Sequence, residues 1–486
     1  MLEQPDTWKP TRQALVDLSG IESADGITED ARRWVRDLAD EYASHAGHNE
    51  MLRRYYDGDV GASDYGVTAD IPNDQTCHWP KKAVDALADR IRLKSVSLAD
   101  ADEGTEDMLD GIVGRNRLVT NYNRHLPVKL LYGCMAATVT RDASGHARVR
   151  FHSAETFTAL PSPDFDDGVV AGGLAIARRE RAPWSDGLMV PTVVNLHTPH
   201  NVGEFRQVDR GEWAYEPGET PEELPTLYVF SHNGIGTLAP FGRTRITKFV
   251  RTLTQDAIRC MWHMQVSGAF YSMAKLYMTG LTDGQFDEIM ASKDAYQLSR
   301  ILALTMGPDG QAPNVGQLSG NSPQPFIDEL MALAKQFSGE TGVPLNSLGI
   351  VQDNPASAEA IQAAREDICL VAERDIEADR ETLARVVRAA LAVEANTTTD
   401  RLDADVMAHF ASPMLSSQAA NADAALKFAS IDQGFASSDA CREMFGFDEA
   451  TRAQIRAHER RERGADVLAK TFEEGLNAAQ DTGVGD

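Results

Sequence analysis

Long apolar runs are missing from this chain of 486 residues. Nothing in it approaches the roughly eighteen consecutive apolar residues of a membrane span, so no membrane partner is expected. The opening "MLEQPDTWKPTRQ" lacks a basic stretch followed by an apolar core and reads as no secretory leader. Cysteine is scarce. Cys77, Cys134, Cys260, Cys369 and Cys441 are far apart, odd in number and never form CxxC. They suggest neither a disulfide framework nor a zinc site and leave buried or incidental thiols.

Catalytic signatures are missing too. There is no G-x-x-x-x-G-K-[ST] to cradle phosphates and no G-x-S-x-G to present a nucleophile. "HNGIGTLAPFG" has Gly234 and Gly236 but not the third glycine of a dinucleotide site, and reads as a strand-to-helix turn. "HTPH" offers His197 and His200 with no third ligand, so it reads as a loop with solvated histidines. No catalytic, cofactor-binding or metal-ligating residue emerges, and the chain reads as a non-enzyme without a cofactor. Positive charge is also short: 47 Lys and Arg face 73 Asp and Glu, a formal charge of −26. Such a chain does not wrap nucleic acid in a basic surface, because Lys and Arg supply that affinity. Its acidity suits solubility, or a wall that nucleic acid passes without sticking. "HERRERG" (458–464) is a basic island, read as a solvated helix face or, alternatively, a contact with nucleic acid or an acidic partner. Lys275 and Lys293 read as exposed lysines.

What is present fits a folded protein of two or three domains, with 42% hydrophobic and 25% charged residues. The spacing of Trp34, Leu38, Tyr42, Leu52 and Tyr55 predicts a helix over about 28–56, with Thr28 as N-cap and Gly58 as its stop. Further helices are expected over 80–93, over 105–118, and over 121–136, the last broken near Pro127. Between 134 and 232 the pattern turns to β, mainly antiparallel, with a hairpin about Ala143-Ser144-Gly145. A long helix is expected over 244–278, with Ile246, Phe249, Val250, Leu253, Ala257, Met261, Met264 and Gly268 as its apolar stripe. Residues 279–322 read as mixed and then rich in Gly, Pro and Asn, and a helix restarts near Pro325.

The stretch "GVPLNSLGIVQDNPASAEAIQAA" (342–364) then ends one helix at Gly342 and Pro344, runs on as an apolar extended segment, and caps the next helix with Asn354 or Ser357. That last helix, about 356–395, carries the stripe Ile361, Ala364, Ile368, Val371, Ile376, Leu383, Val386, Val387 and Ala390. Residues 400–486 read as shorter helices with a partly disordered acidic end. The fold class is α+β, predominantly helical.

Several segments together resemble the portal, or head–tail connector, proteins of tailed bacteriophages, in the branch common in phages of actinobacteria. They are "LRRYYDGD" (52–59), "KKAVDALADRIRL" (81–93), "GRTRITKFVRTLTQDAIR" (242–259), "TGVPLNSLGIVQDNPASAEAIQAARE" (341–366) and "NADAALKFASI" (421–431). Thr244 stands where the family usually has Ser. The resemblance spans about 30–460; within the β region it rests on position alone.

The resemblance implies a homo-oligomeric ring, usually of twelve subunits, at one capsid vertex of the virion, assembled in the host cytoplasm. Double-stranded DNA would pass through it during packaging and ejection. Expected partners are the terminase large subunit, head–tail adaptor proteins, and the major capsid and scaffolding proteins. Mapped onto this chain, an N-terminal arm covers 1–24 and a wing domain 25–243. The first stem helix is 244–270, a clip 271–324, the second stem helix 325–341 and a tunnel loop 342–356. The long helix and crown follow over 357–460, then a tail over 461–486. The loop residues expected to face DNA are Leu345, Asn346, Ser347, Ile350, Val351, Gln352, Asp353 and Asn354. Stem helices in a ring would bury apolar stripes between neighbours. The rival readings are a helical adaptor or scaffold protein of a virion without a channel, and a hydrolase with an unrecognised site.

Overall fold

The computed structural model describes residues 18, 20–61, 75–99, 101–164, 168–181, 189–271, 275–284, 287, 301–305, 314–318, 322–350, 366–402, 404–414, 418–431 and 433–436, with scattered positions between 438 and 461. It is a mixed helix-and-strand chain that divides into two units, 1–413 and 414–486.

Helix α1 (Glu29–Asp57) begins where the sequence places it: the Thr28 side chain accepts a hydrogen bond from the Ala31 N–H, and Glu29 and Asp30 occupy the first turn. Gly58 ends it at φ 76°, and a Cβ there would meet the His78 ring at 2.6 Å. Ala31, Val35 and Leu38 lie buried against an antiparallel five-stranded sheet. Its strands are β4 (Phe157–Pro161), β5 (Val170–Arg181), β6 (Met189–Thr198), β7 (Asn201–Asp209) and β8 (Glu212–Glu216), in that order. A second sheet has the order β3 (Ala147–Ser153), β2 (Cys134–Arg141), β9 (Leu227–Ser231), also antiparallel. Alternating apolar residues of the two sheets, including Ala136, Val229, Phe157 and Ala175, share a small core.

The main core gathers α2 (Trp79–Ala88), α3 (Glu103–Asn116), α4 (Leu118–Tyr132), the second sheet and the long helix α7 (Glu366–Glu394). On α7, Ile368, Ile376, Leu383, Val386, Val387 and Ala390 are buried as the stripe requires, while Val371 is half-buried. Helix α5 (Lys248–Tyr271) packs on α6 (Gln324–Thr341). A small sheet lies between them in sequence, with strands β10 (Lys275–Leu281), β11 (Ile301–Thr305) and β12 (Asn314–Leu318) in the order β11-β10-β12. β10 runs parallel to β11 and antiparallel to β12. The second unit contains α8 (Gln418–Ile431), which carries the 421–431 segment, and α9 (Gln433–Ala436).

Several expectations need correction. α4 runs unbroken through Pro127, because burial of Tyr122, Leu126, Lys129 and Leu130 on one side outweighs the ~3 kcal/mol an internal proline costs. The second helix stops at Ala88, and Leu93–Ala99 is instead strand β1. β1 pairs antiparallel with β13 (Asp405–Phe410), a strand where only helices were expected. α5 ends at Tyr271 and gives way to β10. His197 is no solvated loop residue: it lies on β6 with 0% exposure, its Nδ1 bonded to Thr226 Oγ1 at 2.9 Å. Burial lowers its pKa to about 4. His200 does sit in the turn after β6, exposed, at φ 60°. The five cysteines are free thiols, all buried except the half-buried Cys134.

Candidate functional site

The functional expectations converge on the helix–sheet–helix–loop run from Thr244 to Ile350. α5 starts at an N-cap that its own sequence supplies, since Thr247 Oγ1 accepts from the Val250 N–H at 3.2 Å. Val250, Leu253, Ala257, Ile258 and Trp262 are buried on α5, and Ala334 and Phe337 on α6. Cys260 Sγ donates to the Phe326 carbonyl at 3.2 Å, and Phe337 meets the Trp79 ring with centroids 5.2 Å apart. Half of the apolar stripe is therefore spent within the chain, through Ile246, Val250, Leu253 and Ala257, rather than on contacts between neighbours. Left exposed on this helix pair are Phe249 at 44%, Ile327 at 41% and Met331 at 36%.

Gly342 closes α6 in the left-handed region, donating its N–H to the Ser338 carbonyl. Val343 then plunges into the main core with 0% exposure. The following residues are not extended: Leu345–Leu348 form a 3-10 turn, with Ser347 N–H bonded to the Pro344 carbonyl at 2.9 Å. Leu348 packs back on the core, so the turn is pinned at both ends. Of the eight loop residues named from sequence, Asn346 and Ser347 are exposed and Leu345 and Ile350 are half-buried. Val351, Gln352, Asp353 and Asn354 lie outside the described residues, as do Ser357, Ile361, Ala364 and Lys293.

Behind this segment lies an ionic knot that sequence reasoning missed. Lys129, fully buried on α4, places Nζ 2.7 Å from Asp379 Oδ1 and 3.9 Å from Asp375 Oδ2. Tyr122 donates its hydroxyl to the other oxygen of Asp379. His232 Nδ1 lies 2.8 Å from Asp375 Oδ2. Burial pushes the Asp379 carboxyl above its ordinary range, against the pull of Lys129. Burial raises Asp375 as well, but Lys129, the His232 bond and Arg245 outweigh it and hold that carboxyl below its usual range. Arg245 is the tie to the loop: its N–H bonds the Leu130 carbonyl at 2.9 Å, Nε reaches the Ala83 carbonyl, and the guanidinium donates to the Thr341 carbonyl one residue before Gly342. Thr244 Oγ1 donates to the Leu131 carbonyl and accepts from the Ile246 N–H, so its hydroxyl is engaged on both sides.

A signal for the knot was in the sequence. Asp375 and Asp379 fall in register with Ile368, Ala372, Ile376 and Leu383, so they occupy the stripe of α7 that faces inward. Lys129 likewise continues Tyr122, Leu126 and Leu130 on α4. A cleft of about 450 Å³ opens beside His232, Arg245 and Asp375. Its carboxylate and imidazole are bonded to each other and about 5% exposed, which makes them a brace. Among the described residues no cluster could hold a metal ion, and no helix is long and apolar enough to cross a membrane.

No family model matches the chain. Among curated proteins it is similar to the portal protein of Mycobacterium phage D29, 25% identical over 429 residues that cover 84% of this chain and 85% of that one. It is also similar to the portal protein of Mycobacterium phage L5, 26% identical over 338 residues, 66% of each. Solved structures overlap loosely. They include a chain from the virion of a native gene transfer agent particle, at TM-score 0.44, 12% identity, and 82% and 93% coverage of this chain and that one. Another is from the neck of an empty particle of that kind, at TM-score 0.40 with the same identity and coverage. By sequence, the chain is similar to the portal proteins of two mycobacteriophages.

Proposed function

We propose that this chain is a phage portal protein: the subunit of a ring at one capsid vertex through which DNA enters and leaves. The similarity to two portal proteins, one of them over 84% of this chain, carries the reading. The order of elements agrees with it. A helix, a small sheet, a helix, a pinned turn and a long buried helix follow one another as first stem helix, clip, second stem helix, tunnel loop and crown-directed helix would. On this reading the wing is 25–243, containing both antiparallel sheets of the 134–232 region.

The role is mechanical. Asn346 and Ser347 offer neutral hydrogen-bonding groups to a passing phosphate backbone, and neither holds it as a lysine would. The charge of −26 keeps a duplex from adhering to the wall. Motor chemistry belongs to a separate terminase, and the ring supplies docking for it, for head–tail adaptors and for the shell. Twelve subunits is the expected number. Phe249, Ile327 and Met331 are apolar surface that a neighbour in the ring can cover.

The test is genetic. In the phage that encodes it, particles made without this chain should assemble shells empty of DNA, and the full chain supplied in trans should restore filling. Shells that fill normally without it would overturn the portal reading and favour an adaptor without a channel.

A further inference from the structure

In this acidic chain, arginine is concentrated in one place. A cleft of about 770 Å³ is lined by Arg115, Arg117, Arg148, Arg150, Arg178 and Arg179, and by no carboxylate. The fold assembles it from distant segments. Arg148 and Arg150 share one face of β3 by the two-residue period of a strand, Arg178 and Arg179 come from β5, and Arg115 and Arg117 from the end of α3. Arg117 sits there at φ 47°, the left-handed cap of that helix. Some of the six are engaged: Arg115 with Glu394, and Arg178 with Glu180 at 3.2 Å on the exposed rim. Among the described residues, no ion pair within 4 Å reaches Arg117, Arg148 or Arg150. Arg148 does lie near enough to Asp142 to help lower its carboxyl. Arg148, Arg150 and Arg178 also border a neighbouring cleft that Asp142, Glu204, Glu219 and Glu222 line. Arg150 is held below its ordinary pKa by burial and by the like charges of Arg148 and Arg178. Cations crowded together in this way call for an anion.

A matching anionic surface lies at the other end of α3. Glu103, Glu106, Asp107 and Asp110 are exposed and fall at i, i+3, i+4 and i+7, one stripe of the helix. No ion pair reaches them among the described residues. Glu103 to Asp107 lie about 12–18 Å along the helix axis from Arg115, too far to pair with the cleft of their own chain. A ring needs two different complementary patches on each subunit, since its interface is heterologous. Copies each carrying −26 repel one another, so a local site of opposite sign is what gives them register.

We infer that the arginine cleft is one half of the contact between subunits and receives the acidic stripe of α3 from a second copy of this chain. The inference rests on the ring proposed above. A duplex is a poorer occupant: it is about 20 Å wide, and the net charge around the cleft repels it.

The experiment uses the full chain, followed by sedimentation velocity at about 0.15 M salt. Two charge-reversed variants are made, Arg148→Glu with Arg150→Glu, and Glu106→Arg with Asp107→Arg. Each alone should lower the ring fraction at least tenfold. An equal mixture should restore rings, because each reversed patch then meets a complementary one; recovery also shows that both variants fold. Rings that persist in both variants, or losses the mixture does not repair, overturn the inference while leaving the portal reading intact. Intact rings whose retention of a short DNA duplex is lost in the arginine variant overturn it in favour of nucleic acid. A wild-type chain that forms no ring overturns the portal reading, and this contact with it.

Discussion

Replacing Lys129 with Met removes one charge from a site with no access to water. The Met side chain keeps most of the volume, so the main loss is the partner of Asp379, which is itself fully buried. Left alone, that carboxylate takes a proton. At pH 7, neutralising a carboxyl of ordinary pKa near 3.9 costs about 1.4 kcal/mol for each of about three pH units, or ~4 kcal/mol. This agrees with the ~3–5 kcal/mol typical of breaking a buried pair from one side. A cooperative unit of about 400 residues has an unfolding entropy near 0.8 kcal/mol/K, so the midpoint should fall by about 4–6 °C.

Two further features identify the cause. The deficit should shrink by about 1.4 kcal/mol per pH unit as pH falls from 7 towards the raised pKa of the wild-type Asp379 carboxyl, because protonating that carboxyl in the variant costs less at each lower pH, and should level off below it. Adding Asp379→Asn should recover at least half of the loss, since Asn still accepts from the Tyr122 hydroxyl. Denaturant titrations at several pH values supply the numbers. A deficit under about 1 kcal/mol, or one that does not change with pH, would refute the view that the knot holds α4 to α7 by charge.

Acid should weaken the wild-type β region through its histidines. His152 and His197 are buried and neutral, with pKa values lowered to about 3 and about 4, burial being the larger cause in each. Their folded values lie below the unfolded 6.5, so stability is full above pH 6.5 and falls as pH drops towards 4, by up to ~1.4 kcal/mol per unit for each; urea titrations of His197→Gln should show a flatter acid limb. Gly172→Ala should cost about 1–3 kcal/mol, because its Cβ would lie 2.5 Å from the Trp34 ring that seats α1 on the five-stranded sheet; a loss under 0.5 kcal/mol in thermal unfolding would contradict that packing. Asn346→Ala with Ser347→Ala should change stability by under about 0.5 kcal/mol yet alter DNA packaging or retention in assembled particles; unchanged packaging would remove these residues from the channel.

What could be read from sequence was whatever is local. The cap at Thr28, the stop at Gly58, the hairpin at 143–145 and the stripe on α7 each depend on residues within a turn or two of one another. The β1–β13 pair was invisible because Val96 finds Ala408 across more than three hundred residues, and "LKSVSLA" is too short to announce itself. Pro127 misled for a related reason: local propensity broke a helix that tertiary burial keeps whole. Asp375 and Asp379 carry no local motif, and only their register with the apolar stripe points them inward. The arginine cleft needs three segments at once, and only the alternation of Arg148 and Arg150 along β3 was there to be seen. For the loop, the helix stop at Gly342 was legible, while the 3-10 turn held by Val343 and Leu348 depends on core contacts that no local pattern encodes.

The most direct measurement is electron microscopy of the purified full chain at high concentration. The portal account predicts closed rings with a central hole wide enough for a duplex, with density for α5 and α6 around it. A monodisperse monomer, or an assembly with no central passage, would contradict it.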